Sequence, residues 1–314
     1  MGETKKIATR ESFGMALCEL AKEHDDIIVL DADLAAATKT EIFKKAYPDR
    51  FFDCGIAEAN MIGVAAGLAA AGKVPFAASF AMFSTGRAYE QVRNSVGYPH
   101  LNVKIAGSHA GITIGEDGAT HQCCEDLALM RTIPGMVVIN PADHYEMVEA
   151  VKAAYAYNGP VYIRLGRLAI ESFNDPDNYT FELGKGITLE EGTDCTVIAT
   201  GLVVNEALKA VRALKERGVN VRLINMHTIK PIDKDIIIKA AKETGRIITV
   251  EEHNIIGGLG EAVAAVTSEF CPVPVNRIGV QDVYGHSGPA LELLAEFGLD
   301  AAGLEKKISE IIGK

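Results

Sequence analysis

Apolar residues in this chain alternate between short β-branched runs and longer stretches with helical spacing. Within residues 9–22 they recur at intervals of three and four, which predicts a helix with one buried face. Ile27–Leu30 is a mostly β-branched run, typical of a buried parallel strand, and Asp31 and Asp33 follow it. The same alternation continues to Leu165 and predicts a parallel sheet with helices on both faces.

A polar segment divides the chain into two halves. Residues 169–191 include FNDPDNYTFELGKG, in which turn-forming residues interrupt the apolar pattern, and this composition is typical of a linker. A second alternation of strand and helix patterns follows it. We therefore predict an α/β protein of two three-layer domains with mainly parallel sheets, residues 1–168 and 192–314, joined by a linker over 169–191.

The stretch Asp53–Gly72, DCGIAEANMIGVAAGLAAAG, predicts a helix of small and apolar residues with one acid, Glu58, in its first turn. A helix that is apolar all round belongs in an interior or in a large interface. We therefore expect Glu58 to be buried beside Ile56 and Met61, and a buried carboxylate needs a partner. Glu58 could cap its own helix, or it could bind a ligand.

The densest polar segment, residues 107–126, reads GSHAGITIGEDGATHQCCED and follows a predicted strand. Its glycines let the backbone turn sharply and approach a ligand, and ligands of open α/β sheets bind at the strand ends. His109, His121, Glu116 and Asp117 could bind a metal there or transfer protons. The alternative is a solvated turn without a site.

Aromatic and basic residues supply further candidates. Phe80 and Phe83 are three residues apart, a pair that is typical of a core but could also clamp a flat heterocycle. Arg10, Arg164 and Arg167 have the guanidinium geometry that suits phosphate, although a surface ion pair is the more usual role of an arginine.

Composition narrows the classes of function. Hydrophobic residues make up 48% of the chain, enough for packed cores, and a net charge of −11 without basic runs argues against binding nucleic acid or an anionic membrane surface. The six cysteines are scattered without CxxC spacing, so we expect neither a zinc site nor a disulfide framework, and free thiols suit the cytoplasm. The first residues lack the apolar core of a signal peptide, and no apolar run is long enough to span a bilayer.

Three segments, GIAEANM, SFAMFSTGRAYEQVR and GSHAGITIGEDGATHQCCEDLALMRTIP, together resemble the C-terminal half of transketolase. The resemblance runs from about Thr9 to Arg167 and continues more weakly to the end of the chain. It implies a pyrimidine-binding domain, a smaller transketolase C-terminal domain and thiamine diphosphate as the cofactor. It also implies transfer of a two-carbon ketol unit from a ketose phosphate to an aldose phosphate, the chemistry of the pentose phosphate pathway.

The resemblance also implies roles for individual residues. Glu58 would bond the ring nitrogen of the cofactor's pyrimidine and favour the tautomer that takes a proton from the reactive carbon. The implied catalytic set is Glu58, His109, His121 and Asp117, in which the histidines contact the substrate and Asp117 orients a sugar hydroxyl. The implied cofactor contacts are Glu58, Phe80, Phe83 and Asp33, and the implied contacts of the substrate phosphate are Arg10, His109 and Arg167.

The sequence departs from the family pattern at two places. A serine that is usual among the phosphate contacts is missing near Ala37. The chain also lacks the GDG followed by Asn-Asn that holds Mg²⁺ and the diphosphate, so we expect no metal site within it. The resemblance therefore implies a separate N-terminal transketolase subunit that holds Mg²⁺ or Ca²⁺ and the diphosphate in an α2β2 heterotetramer, with the apolar helix Ile56–Ala71 at the interface.

Two other interpretations stay open. The chain could be the β subunit of a 2-oxo acid dehydrogenase E1 component or a piece of deoxyxylulose-phosphate synthase, although His109 within GSHAGITIGEDG favours transketolase. A scaffold subunit that kept the fold and lost the activity is the other interpretation, because one fold can host many functions. The intact set of Glu58, His109, Asp117 and His121 argues against a scaffold.

Overall fold

Strands and helices alternate in the computed structural model, which describes residues 6–314. Residues 1–5 lie outside the described residues. They are the first residues of the predicted first domain and of the segment that lacks the apolar core of a signal peptide. The strands are β1 (Lys6–Ala8), β2 (Ile27–Asp31), β3 (Phe51–Asp53), β4 (Val74–Phe80), β5 (Lys104–Ser108), β6 (Val137–Ile139), β7 (Val161–Arg164), β8 (Ala169–Glu171), β9 (Ile187–Glu190), β10 (Cys195–Ala199), β11 (Val221–Asn225), β12 (Thr228–Lys230), β13 (Ile247–Asn254) and β14 (Val275–Val280).

The helices lie between these strands and after the last of them. They are α1 (Thr9–Leu20), α2 (Ala35–Thr38), α3 (Glu41–Ala46), α4 (Glu58–Ala70), α5 (Tyr89–Gln91), α6 (Asp126–Thr132), α7 (His144–Ala156), α8 (Val203–Glu216), α9 (Lys234–Thr244), α10 (Leu259–Phe270), α11 (Ala290–Glu296) and α12 (Ala301–Ile312). Two short 3₁₀ segments, Pro48–Arg50 and Ile112–Asp117, and two π-helical segments, Met82–Arg87 and Val92–Gly97, complete the described elements. Within residues 6–314, each helix is too short or too polar to cross a lipid bilayer.

The larger sheet has seven strands in the order β12-β6-β7-β5-β4-β2-β3. Six of these strands run parallel, whereas β12 comes from the second half of the chain and pairs antiparallel with β6. Every residue of β2, β4 and β5 is buried, as expected for parallel strands covered by helices on both faces. The predicted α/β class is confirmed, and this sheet brings the ends of β4 and β5 together.

The smaller sheet has five strands in the order β14-β13-β10-β11-β9, with β9 antiparallel to β11. Residues 169–191, predicted as a linker, contribute this edge strand and also β8, which pairs antiparallel with β1. Both strands are short and partly exposed, so they lack the apolar run that signals a strand. The segment therefore pairs with both halves of the chain, and the domain limits 1–168 and 192–314 stay a prediction.

Helix α4 has two unlike faces. Met61, Ile62 and Ala65 are buried against the larger sheet, whereas Gly63 and Gly67 are exposed on the opposite face. Neither glycine has a neighbouring atom within 4 Å of the position that a Cβ would take. The apolar stretch therefore divides between the interior and an open surface of small residues.

Residues 82–97 form a chain of π-helical and α-helical turns. The π-helical turn Met82–Arg87 carries one of the bonds between residues five apart, from Ala88 N to Phe83 O at 3.2 Å. π-Helical turns are rare in proteins, and those that occur often lie at functional sites. Here the turn carries two residues of the candidate site, Phe83 and Arg87.

Candidate active site

The candidate site lies at the carboxyl ends of β4 and β5. The register pairs Phe80 with Ser108, so His109, the residue after Ser108, comes next to the Phe80 ring, with a centroid distance of 4.1 Å. This edge of an open α/β sheet is where ligands bind. The loop after β5 thus lies beside the aromatic pair.

Glu58 is buried, with 3% of its surface exposed, and its partner is Arg87. Arg87 Nη1 donates to Glu58 Oε2 at 2.9 Å, and the guanidinium lies over the Phe83 ring at 4.4 Å. Helix α4 begins at Glu58 without a side-chain cap. The expectation that Ile56 helps to bury Glu58 is wrong, because Ile56 is 79% exposed.

The aromatic pair forms one wall of the site. The rings of Phe80 and Phe83 stack at 5.9 Å with an interplanar angle of 19°, and Phe80 is buried while Phe83 is half-buried. The ring of His121 meets Phe83 edge-on at 5.3 Å. The structure therefore brings together Phe80, Phe83, His109 and His121, four residues that the sequence singled out.

His109 is held by two polar neighbours. Arg10 Nη1 lies 3.0 Å from His109 Nε2, and Ser108 Oγ lies 2.8 Å from Nδ1. A guanidinium only donates, so Nε2 accepts and Nδ1 carries the ring proton, which it donates to Ser108. Burial, together with the nearby charges of Arg10, Arg167 and Lys39, lowers the pKa of His109 to about 3. The ring is therefore neutral near pH 7.

Arg10 and Arg167 line one open cavity of about 210 Å³, together with Thr113 and Glu116. Arg10 Nη1 also donates to Ala37 O at 2.7 Å, and Arg167 Nη1 donates to Glu116 Oε2 at 2.8 Å. Burial and the neighbouring charge of Arg167 lower the pKa of Arg10 from its ordinary value. Two guanidinium groups at one cavity make a good anion site.

Arg164, the third arginine that the sequence offered, does not reach this cavity. It is buried, and its Nε and Nη2 donate to the carboxylate of Asp126 at 2.7 and 3.0 Å. Its guanidinium thus belongs to a buried ion pair beneath the loop. The sequence carries no signal for this pair, because the two residues are 38 positions apart.

The remaining predicted site residues are two acids. Asp33 is exposed after β2 with a φ of 62°, and its backbone N–H donates to Asp53 Oδ1 at 3.0 Å. Asp117 is exposed at the end of the 3₁₀ segment Ile112–Asp117, on the loop that carries both histidines. Among residues 6–314, no group of three or more His, Cys, Asp or Glu side chains is arranged to hold a metal ion.

Comparisons with known proteins agree with this architecture. The transketolase pyrimidine-binding domain matches residues 5–171, and the transketolase C-terminal domain matches residues 184–304. A provisionally named transketolase C-terminal section of Methanocaldococcus jannaschii is 51% identical over 307 residues, which cover 97% of this chain and 96% of that protein. The chain belongs to the transketolase family.

Two further transketolase relatives bear on assembly and substrate. A solved structure described as a split gene transketolase, inactive beta4 tetramer, is 49% identical with a TM-score of 0.91, covering 98% of this chain and 99% of that one. A 6-deoxy-6-sulfo-D-fructose transketolase subunit of Clostridium sp. (strain MSTE9) is 44% identical over 302 residues, covering 96% of this chain and 94% of that subunit. The resemblance to the C-terminal half of transketolase is thereby confirmed, and the chain is a transketolase-family transferase.

Proposed function

We propose that this chain is the C-terminal subunit of a two-chain transketolase, which transfers a two-carbon ketol unit from a ketose phosphate to an aldose phosphate. The observation that carries the proposal is the arrangement of Glu58, Arg87 and Phe83. A flat, nitrogen-bearing cation lies on an aromatic ring and donates a hydrogen bond to a buried carboxylate. That arrangement also suits a flat aminopyrimidine.

The residues present therefore fit the pyrimidine end of thiamine diphosphate. Glu58 would hold the ring through a hydrogen bond to a ring nitrogen, and the Phe80–Phe83 wall would stack against its face. The guanidinium of Arg87 stands in for that ring in the free chain. Asp33 is exposed at the same sheet edge and is proposed as a further contact near the cofactor.

When bound, the cofactor supplies a carbon nucleophile that the protein's own side chains lack. Glu58 contributes a buried carboxyl group that can hold a proton at its oxygen while it bonds a ring nitrogen. His109 is neutral near pH 7 because of its lowered pKa, so it serves as a hydrogen-bonding group and not as a cationic acid. His121 and Asp117 lie on the same loop, where they are available to sugar hydroxyls.

The two arginines are the proposed site for the anionic end of the sugar. Arg10 and Arg167 face one cavity, and Arg10 orients His109 through Nε2. A guanidinium pair accepts phosphate or sulfonate oxygens by the same charge-assisted hydrogen bonds. The relative that is named for a sulfosugar supports testing a sulfonated ketose beside the phosphate, and the Ala37 segment, which lacks the usual serine, lies beside Arg10.

A partner chain is proposed to complete the site. An N-terminal transketolase subunit would hold the diphosphate and Mg²⁺ or Ca²⁺, in an α2β2 heterotetramer. The open face of α4, with Gly63 and Gly67, supports this, because small residues let a second surface approach closely. The similar split gene transketolase is described as an inactive beta4 tetramer, which also supports a need for another subunit. All six cysteines are free, which suits a cytoplasmic location.

The test is reconstitution of the two-chain enzyme. This chain is mixed with a transketolase N-terminal subunit, thiamine diphosphate and Mg²⁺, and ketol transfer between a ketose phosphate and an aldose phosphate is measured. We expect transfer by the mixture and none by either chain alone. Decarboxylation of pyruvate with an electron acceptor, without ketol transfer, would instead support a 2-oxo acid dehydrogenase subunit, and condensation of pyruvate with an aldose phosphate would support a deoxyxylulose-phosphate synthase. Assembly without any turnover would support a scaffold.

A further inference from the structure

The loop after β5, residues 109–123 and here called the substrate loop, rests on the second half of the chain. The backbone N–H of Thr113 donates to Glu252 Oε1 at 2.7 Å, in a bond that is buried and joins residues 139 positions apart. Gly111 lies directly against the same carboxylate, since a Cβ there would come within 2.3 Å of Glu252 Cδ. A carboxylate of β13 therefore forms part of the floor under the loop.

The base of the substrate loop is fixed by Arg164. Its Nη2 donates to Cys123 O at 3.2 Å and to Glu252 O at 3.0 Å, so one guanidinium joins the end of the loop to β13. The loop closes on itself beside this point, where Gly111 N donates to Cys123 O at 2.8 Å. Burial raises the pKa of the Glu252 carboxyl, and the positive charge of Arg164 offsets part of this rise. Glu252 thus has a fixed backbone and a charged neighbour.

A third contact holds the far side of the loop. Gln122 Nε2 donates to His286 O at 2.9 Å, in the segment that leads into α11. Between these contacts, Thr113 lines the cavity that contains Arg10 and Arg167. Glu252 therefore fixes a residue of the proposed sugar-phosphate cavity, although its own side chain is not part of that cavity.

We propose that Glu252 is a positioning residue, and that the second half of the chain serves the reaction by holding the substrate loop in the shape that binds the sugar phosphate. The expected effect of Glu252 on catalysis rests on the proposed ketol transfer. Its expected effect on the loop does not. Loss of the bond to Thr113 leaves a buried N–H without an acceptor, which loosens the loop. Within residues 6–314, no hydrogen bond or ion pair joins Glu252 to Glu58 or Phe83.

The test compares three variants in the full chain. Glu252→Asp keeps the charge that faces Arg164 but is one methylene too short for Thr113, and Glu252→Gln keeps both the length and an oxygen acceptor. Glu251→Asp is the matched control, because Glu251 is also buried but accepts from Leu259 N and Gly260 N, away from the loop. Amide hydrogen exchange over residues 111–117 is measured on each chain.

We expect exchange over residues 111–117 to be about tenfold faster in Glu252→Asp and near wild type in Glu252→Gln and Glu251→Asp. In the reconstituted enzyme we expect KM for the sugar phosphate to rise about tenfold in Glu252→Asp, with kcat and the Kd for thiamine diphosphate changed less than about twofold. Unchanged loop exchange in Glu252→Asp, or an unchanged KM in an active complex, would overturn the proposal. A wild-type complex without ketol transfer would refute the proposed function instead, and the exchange measurement would still decide the role of Glu252.

Discussion

Arg87 Nη1 lies 2.9 Å from Glu58 Oε2, and the same guanidinium lies 4.4 Å above the ring of Phe83. A half-exposed arginine thus joins a buried acid on α4 to the aromatic wall on the next segment. The acid has its partner within the free chain, and the position taken by the guanidinium is the one proposed for the pyrimidine ring. Binding of the cofactor therefore has to move Arg87.

Removing the guanidinium of Arg87, which competes with the cofactor for Glu58, is expected to tighten cofactor binding. Arg87→Met keeps an apolar side chain on Phe83 but cannot donate to Glu58. A half-exposed ion pair is worth up to about 1 kcal/mol, so we expect the Kd for thiamine diphosphate to fall by up to about fivefold in the reconstituted enzyme. Calorimetric titration at saturating Mg²⁺ measures it. Arg93→Met, an exposed arginine nearby that bonds Asn94, is the control. Weaker cofactor binding by Arg87→Met would mean that Arg87 supports the site.

Two substitutions at the cavity lined by Arg10 and Arg167 are expected to change KM for a ketose phosphate in opposite directions. Glu116 occupies Arg167 in the free chain, so Glu116→Gln should free that guanidinium and lower KM for a ketose phosphate about twofold to threefold. Arg167→Met should raise the same KM about tenfold, because a charge-assisted hydrogen bond is lost. Initial rates with a phosphorylated and an unphosphorylated ketose measure both effects. Equal changes for the two donors would exclude the cavity as the phosphate site.

The open face of α4 is predicted to be the surface that the partner covers. Gly67→Ala should raise the free energy of unfolding of the chain alone by up to about 1 kcal/mol, because glycine is a poor helix former and the position is open. Gly67→Leu should also fold but should prevent assembly with the N-terminal subunit, as judged by light scattering of the mixture. Lys209→Leu, exposed on α8, adds an apolar side chain elsewhere as a control. Normal assembly by Gly67→Leu would show that the partner does not cover this face of α4.

Sequence patterns predicted the parts of this structure that depend on local order. The apolar run Ile27–Leu30 located β2, and the rule that ligands bind at strand ends located the polar loop that follows β5. The resemblance to transketolase added the roles of Glu58, Arg10 and Arg167, which stay predictions. The structure does bring the two arginines to one cavity.

The parts that sequence could not predict depend on contacts between distant residues. Glu58 and Arg87 are 29 positions apart, and Thr113 and Glu252 are 139 apart, so no periodic pattern links either pair. Strand β12 joins the larger sheet from the second half of the chain, which an alternating pattern assigns to the smaller one. The strands within 169–191 are edge strands with partly exposed residues, and their polar composition is that of a loop.

The central claim is that the carboxyl group of Glu58 acts on the cofactor across the subunit interface, and the turnover of Glu58→Gln tests it most directly. Gln keeps the size of the side chain but cannot give or take the proton. In the reconstituted enzyme, at saturating thiamine diphosphate and Mg²⁺, we predict that kcat for ketol transfer falls by at least about 100-fold while the complex still assembles. A kcat within about twofold of wild type would contradict the account.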